Sequence, residues 1–124
     1  MKFQPDFTGV QTISAYGPGW VGLGSERIHH PVILTSQGLR QPWNCPRFED
    51  LTAEHFSPLA ELDVELVLFG SGDRLRFPLP AWLAPIMRRR IGLETMDTPA
   101  ACRTFNILAG EGRRVAAALL LPGL

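Results

Sequence analysis

Few side chains in this sequence sit in a pattern that could do chemistry. Cys102 is the best candidate nucleophile, because it falls in the first turn or so of an expected helix and Arg103 follows it. A helix N-terminus and a neighbouring cation both lower a thiol pKa. Asn106 lies one helical turn further on, so the two can share a face. The competing reading is a small buried helix residue beside an amide that satisfies backbone groups. No Cys/His pattern accompanies Cys102, and Cys45 and Cys102 form no CxxC pair. His29, His30 and His55 lack HxxxH or HExxH spacing, so neither a metal nor another cofactor is expected.

A second group of residues could hold an anion. Gly70, Ser71, Gly72, Asp73 and Arg74 follow one apolar run, and Asp97, Thr98 and Pro99 follow another. Glycines let backbone N–H groups approach an anion closely, and the helix start at Thr98 offers free N–H groups. Arg74 and Arg103 would add positive charge, whereas Asp97 would oppose an anion. The stretch lacks both GxGxxG and the Walker Lys-Ser/Thr, so an ordinary turn is the alternative. Arg88, Arg89 and Arg90 suit either an acidic protein surface or a solvated helix end. Trp20 and Trp82 read as core, but Trp43 lies in a polar loop where exposure to a partner is expected.

These residues need elements to position them. Residues 1–10 look like a flexible arm, and 11–124 like a single domain. Gln11 to Tyr16 and Trp20 to Leu23 flank Gly17-Pro18-Gly19 and predict a hairpin. Ile28 to Thr35 predicts a strand, and Gln37 to Pro46 a loop. Leu51 to Leu59 predicts a short helix opened by Thr52. Val64 to Phe69 predicts a strand. Pro80 to Arg90 predicts a helix kinked at Pro85. Gly92 to Met96 predicts a strand. Thr98 then reads as an N-cap with Pro99 at the first helical position, and Gly110 and Gly112 end that helix. Val115 to Leu121 is apolar without alternation, as in a strand covered on both faces.

Strand, helix, strand, helix, strand in the second half implies parallel strands joined by two crossover helices. With the antiparallel hairpin, the fold class is α/β: a compact three-layer domain around a central mixed sheet. Ligands of such sheets favour the crevice beyond the carboxyl ends of the parallel strands, where both anion-binding loops would lie.

Composition narrows the function. The 124 residues are 45% hydrophobic and 19% charged, with twelve basic and twelve acidic side chains. Balanced charge argues against a dedicated nucleic-acid binder or a polybasic membrane-surface protein. Residues 1–65 carry −4 and residues 66–124 carry +4, and eleven of the twelve basic residues are Arg. This predicts either a solvated surface or a basic Arg-built face that meets an acidic partner. The start has no apolar signal region, and the run from Val115 to Leu121 is too short to cross a bilayer. Two unpaired cysteines fit a reducing, cytoplasmic location.

The segment from Met96 to Leu108, followed by Glu111 to Leu119, resembles the domain of unknown function 498 family. Tyr16-Gly17-Pro18-Gly19 and Leu68-Phe69-Gly70-Ser71-Gly72 match in the same order, so the resemblance runs from about Gln11 to Leu121. The family includes mitochondrial respiratory complex I assembly factor three and small archaeal and bacterial proteins. The resemblance implies a three-layer α/β fold and assigns no catalytic residue. It implies a non-enzymatic assembly accessory protein with a protein partner, a subunit of a membrane complex or a second copy. This chain looks like the bacterial branch. The alternative class is a small-molecule or anion-binding protein, or an enzyme, using the crevice near residues 70–74 and 97–103.

Overall fold

The computed structural model describes residues 10–123. Of the expected arm, all but Val10 lies outside the described residues. Among these residues, eight strands form two sheets. β1 (Ala15–Gly17), β2 (Trp20–Leu23) and β3 (Glu26–Ile28) make an antiparallel meander. The main sheet contains β4 (Val32–Thr35), β5 (Arg40–Pro42), β6 (Leu66–Gly70), β7 (Gly92–Met96) and β8 (Val115–Leu119). Its order is β5-β4-β8-β6-β7. β6, β7 and β8 are parallel, and β4 runs antiparallel to β8, so the sheet is mixed as expected.

Side-chain alternation assigns the two faces of this sheet. Ile33, Val67, Phe69, Ala116 and Ala118 point to one face. They meet α1 (Ala53–Phe56), α2 (Ala84–Arg88) and the 3-10 turns Ser57–Glu61 and Pro80–Leu83. Val32, Leu34, Leu68, Val115, Ala117 and Leu119 point to the other face. There α3 (Thr98–Gly110) and the small sheet supply Ala101, Cys102, Phe105, Ile13, Val21 and Ile28. Three layers result. Period-two alternation gives β4, β6 and β8 a continuous apolar sequence because both faces are covered.

The connections explain the open end of the sheet. From β6 the chain steps to its neighbour β7 by way of α2, then returns past β6 to β8 by way of α3. The two helices cover opposite faces, so the loops leaving β6 and β7 diverge there. That divergence is the topological switch point at which α/β sheets open a crevice.

Several expectations need correction. Ile28 to Thr35 is not one strand: Pro31, which has no N–H, separates β3 from β4, and each belongs to a different sheet. The hairpin therefore builds its own sheet. The expected loop 37–46 contains β5, an edge strand that tolerates Pro42. Pro85 does not kink a continuous helix. It stands in the first turn of α2, after the turn Pro80–Leu83 has ended. Asp97, not Thr98, caps α3, accepting the Ala100 N–H at 2.8 Å.

Candidate functional site

Beyond the carboxyl ends of β6 and β8 lies a crevice of about 690 Å³. It is lined by Pro46 to Glu49, Ser71 to Arg74, Arg76, Leu120 and Leu121. Of the expected ligand residues, this group includes Ser71, Gly72 and Arg74. Gly70, Asp97, Thr98, Cys102, Arg103 and Asn106 do not line it. As expected, the loops after β6 and β7 lie on one edge of the sheet, and Gly70 pairs in register with Met96.

In the expected anion cradle, the N–H groups of Ser71, Gly72 and the start of α3 are used within the fold. The Ser71 N–H donates to the Met96 carbonyl at 2.8 Å. The Gly72 N–H donates to Thr98 Oγ1 at 2.9 Å, and the Thr98 hydroxyl donates to the Leu120 carbonyl at 2.6 Å. At the start of α3, the Thr98 N–H donates to the Gly72 carbonyl at 2.8 Å, Pro99 has no N–H, and Ala100 bonds Asp97. No donor of that first turn is left for a ligand. Gly70 is required by contact: a Cβ there would lie 2.8 Å from Leu119 and 2.9 Å from Thr98 Oγ1. Gly72 is required by its backbone, with φ at 101°.

Cys102 is not a low-pKa nucleophile. It is on the buried side of α3, and burial pushes its thiol up to about 12, an effect that Arg103 opposes only in part. Asn106 does not face a ligand. Its side chain accepts the Ile13 N–H at 2.7 Å and donates to the Ile13 carbonyl at 2.8 Å, fastening the segment before β1 onto α3. Arg103 donates to the Tyr16 hydroxyl at 2.8 Å. Trp43, expected at the surface, is buried against Phe56 and Phe69, and its indole N–H donates to the His55 carbonyl. An indole with its one donor satisfied suits a core.

The segment after Arg74 contributes a further residue to the crevice. Arg76 lies over the Phe48 ring at 4.7 Å and donates to Glu49 at 2.8 Å, which holds the Glu49 carboxyl below its ordinary pKa. Its Nε is buried in the crevice wall without a hydrogen-bond partner. Leu75, Phe77 and Leu79 alternate with it and are 51%, 68% and 58% exposed. The signal was present as an apolar–basic alternation running into two prolines.

A family model described as "Protein of unknown function (DUF498/DUF598)" matches residues 13–120. The chain belongs to this family. Among its relatives is the bovine NADH dehydrogenase (ubiquinone) 1 alpha subcomplex assembly factor 3, 38% identical over 112 residues. That match covers 89% of this chain and 60% of the bovine protein. So the chain spans about three-fifths of the length of that relative. An uncharacterised protein of Rhodobacter capsulatus is 34% identical, covering 97% of this chain and 93% of its own. A Bordetella parapertussis crystal structure superposes with a TM-score of 0.84 at 36% identity, covering 91% of this chain and 97% of that one. This DUF498 chain shares its fold with the Bordetella structure. Among its described residues, no helix is long and apolar enough to cross a membrane.

Proposed function

We propose that this chain is an assembly accessory protein that works by binding another protein, and that the complex it serves is the respiratory NADH dehydrogenase. One observation carries the reading: 38% identity across 89% of the chain to a protein named as an assembly factor for that enzyme. The roles found for Thr98, Asn106 and Cys102 agree with it, since each fastens or fills the fold. The test is depletion of the protein in its host, followed by native electrophoresis with staining for NADH dehydrogenase activity. The expected result is a several-fold loss of the complete complex with accumulation of a subassembly. An unchanged amount of complete complex overturns the reading.

A second reading is favoured by one specific observation, the partnerless Arg76 Nε beside Arg74 in the crevice. On this reading the crevice holds a small carboxylate or phosphate. Calorimetric titration with succinate and with inorganic phosphate tests it. Binding that vanishes in Arg74→Ala supports the small-anion reading, and absence of binding to either probe removes it.

A further inference from the structure

The stretch from Arg74 to Arg90 has a composition unlike the rest of the chain. It holds Arg74, Arg76, Arg88, Arg89 and Arg90 and no acidic residue. It also holds four of the most exposed large apolar side chains: Leu75, Phe77, Leu79 and, at 65%, Met87. Clustered exposed apolar groups beside charge mark an interaction surface.

Local conformation makes this surface specific. Pro78 and Pro80 hold Phe77 and Leu79 extended, and Leu79 has φ −67° and ψ 137°. The alternation turns Arg76 and Pro78 inward and Leu75, Phe77 and Leu79 outward. Inward, the Arg76 N–H donates to Ser71 Oγ. Along the outer edge, the N–H groups of Leu75, Phe77 and Leu79 have no hydrogen-bond partner among the described residues. Such an edge accepts an added strand, whose main chain supplies affinity and whose alternate side chains supply specificity.

Charge identifies the visitor. Arg76 is paired with Glu49, and Arg89 approaches Glu61 at 3.8 Å. Arg74, Arg88 and Arg90 have no carboxylate within ion-pair distance among the described residues. Arg90 also holds φ at 59°, in a helix-ending position that glycine usually fills.

We infer that Leu75–Leu79, flanked by Arg74, Arg88 and Arg90, docks an extended acidic segment of another protein with apolar residues at alternate positions. The inference rests on the protein-binding reading above and names its surface. A lipid surface fits less well, because open N–H groups of an extended chain would be left unsatisfied in hydrocarbon. A second copy offers fewer free carboxylates, because Glu26, Glu49, Asp50, Glu61, Asp63 and Glu65 already pair with the chain's own arginines.

The test places the photoreactive residue p-benzoylphenylalanine at position 77, or at the exposed Ile107 on the opposite face, in the full chain in its host. Cross-linked peptides are sequenced. The expected result is an acidic peptide of another protein captured at position 77. Its yield falls about five-fold or more when Arg74→Glu and Arg88→Glu are combined, as for charge pairs across an interface. Capture at 107 but not at 77 overturns the surface and leaves the protein-binding reading standing. Capture at neither overturns both. A lipid adduct, a peptide of a second copy or a non-acidic peptide at 77 overturns the assigned occupant.

Discussion

At the residue scale, side chains that suggest chemistry in the sequence are fasteners in the fold. Cys102, Thr98 and Asn106 were legible as one cluster on and around a helix start. Their roles were not, because burial and bonding partners come from distant strands: Ile13 for Asn106, Leu120 for Thr98. Replacing Thr98 by Val leaves the Gly72 N–H and the Leu120 carbonyl without partners at a fully buried position. The expected loss is about 1–3 kcal/mol, read by urea unfolding. Cys102 is expected to react no faster than Cys45 with iodoacetamide at neutral pH in the folded protein, and labelling of either should track unfolding. Rapid alkylation of Cys102 alone would contradict its burial. The pH dependence has a definite sign. Both thiols are raised from 9.0 to about 12, chiefly by burial. Between those values the unfolded chain holds fewer protons than the folded one, so stability falls as pH rises through that window. Thermal melts from pH 8 upward should show the decline beginning near pH 9, where unfolded thiols ionise.

At the element scale, the apolar runs of β6 and β8 read correctly because both faces of those strands are covered. β5 did not. Arg40-Gln41-Pro42 carries no apolar signal, and an edge strand paired on one side needs none. The prolines marked boundaries, but not which boundary: Pro31 splits two strands, and Pro85 opens a new helical segment. The end of α2 offers a direct check. The Ile91 N–H bonds the Ile86 carbonyl and the Arg90 N–H the Met87 carbonyl, with Arg90 left-handed between them. Arg90→Gly is expected to raise stability by about 0.5–1 kcal/mol, because the left-handed cost outweighs the added freedom of the unfolded chain. At the other end of the sheet, Gly70→Ala pushes a methyl into Leu119 and Thr98. A loss of about 1–3 kcal/mol is expected, the usual penalty for overpacking. A neutral result in denaturant titration would mean that α3 can lift away from β6.

At the scale of the whole molecule, the opposed charges of the two halves prove to be partly internal. Arg76, Arg89, Arg113 and Arg114 of the second half pair with Glu49, Glu61, Glu65 and Asp63 of the first. Three of these pairs are exposed and Arg76 is half-buried, so the three exposed ones add little to stability. The consequence of all four is selective: they occupy four of the eight arginines of the second half and leave Arg74, Arg88 and Arg90 unpaired in the same stretch of chain as Leu75, Phe77, Leu79 and Met87. The sequence showed the imbalance but not the pairing, because partners lie far apart along the chain.

The measurement that bears most directly on the account joins that surface to the proposed role. Cells lacking the protein are supplied with the double variant Phe77→Ser and Leu79→Ser, and complete NADH dehydrogenase is quantified on native gels. Both side chains are exposed, so the variant should melt within about 2 °C of the wild type. The expected result is a folded variant, present at wild-type levels, that fails to restore the complete complex. Full restoration by that variant would contradict the claim that this chain acts by holding a partner along Leu75–Leu79.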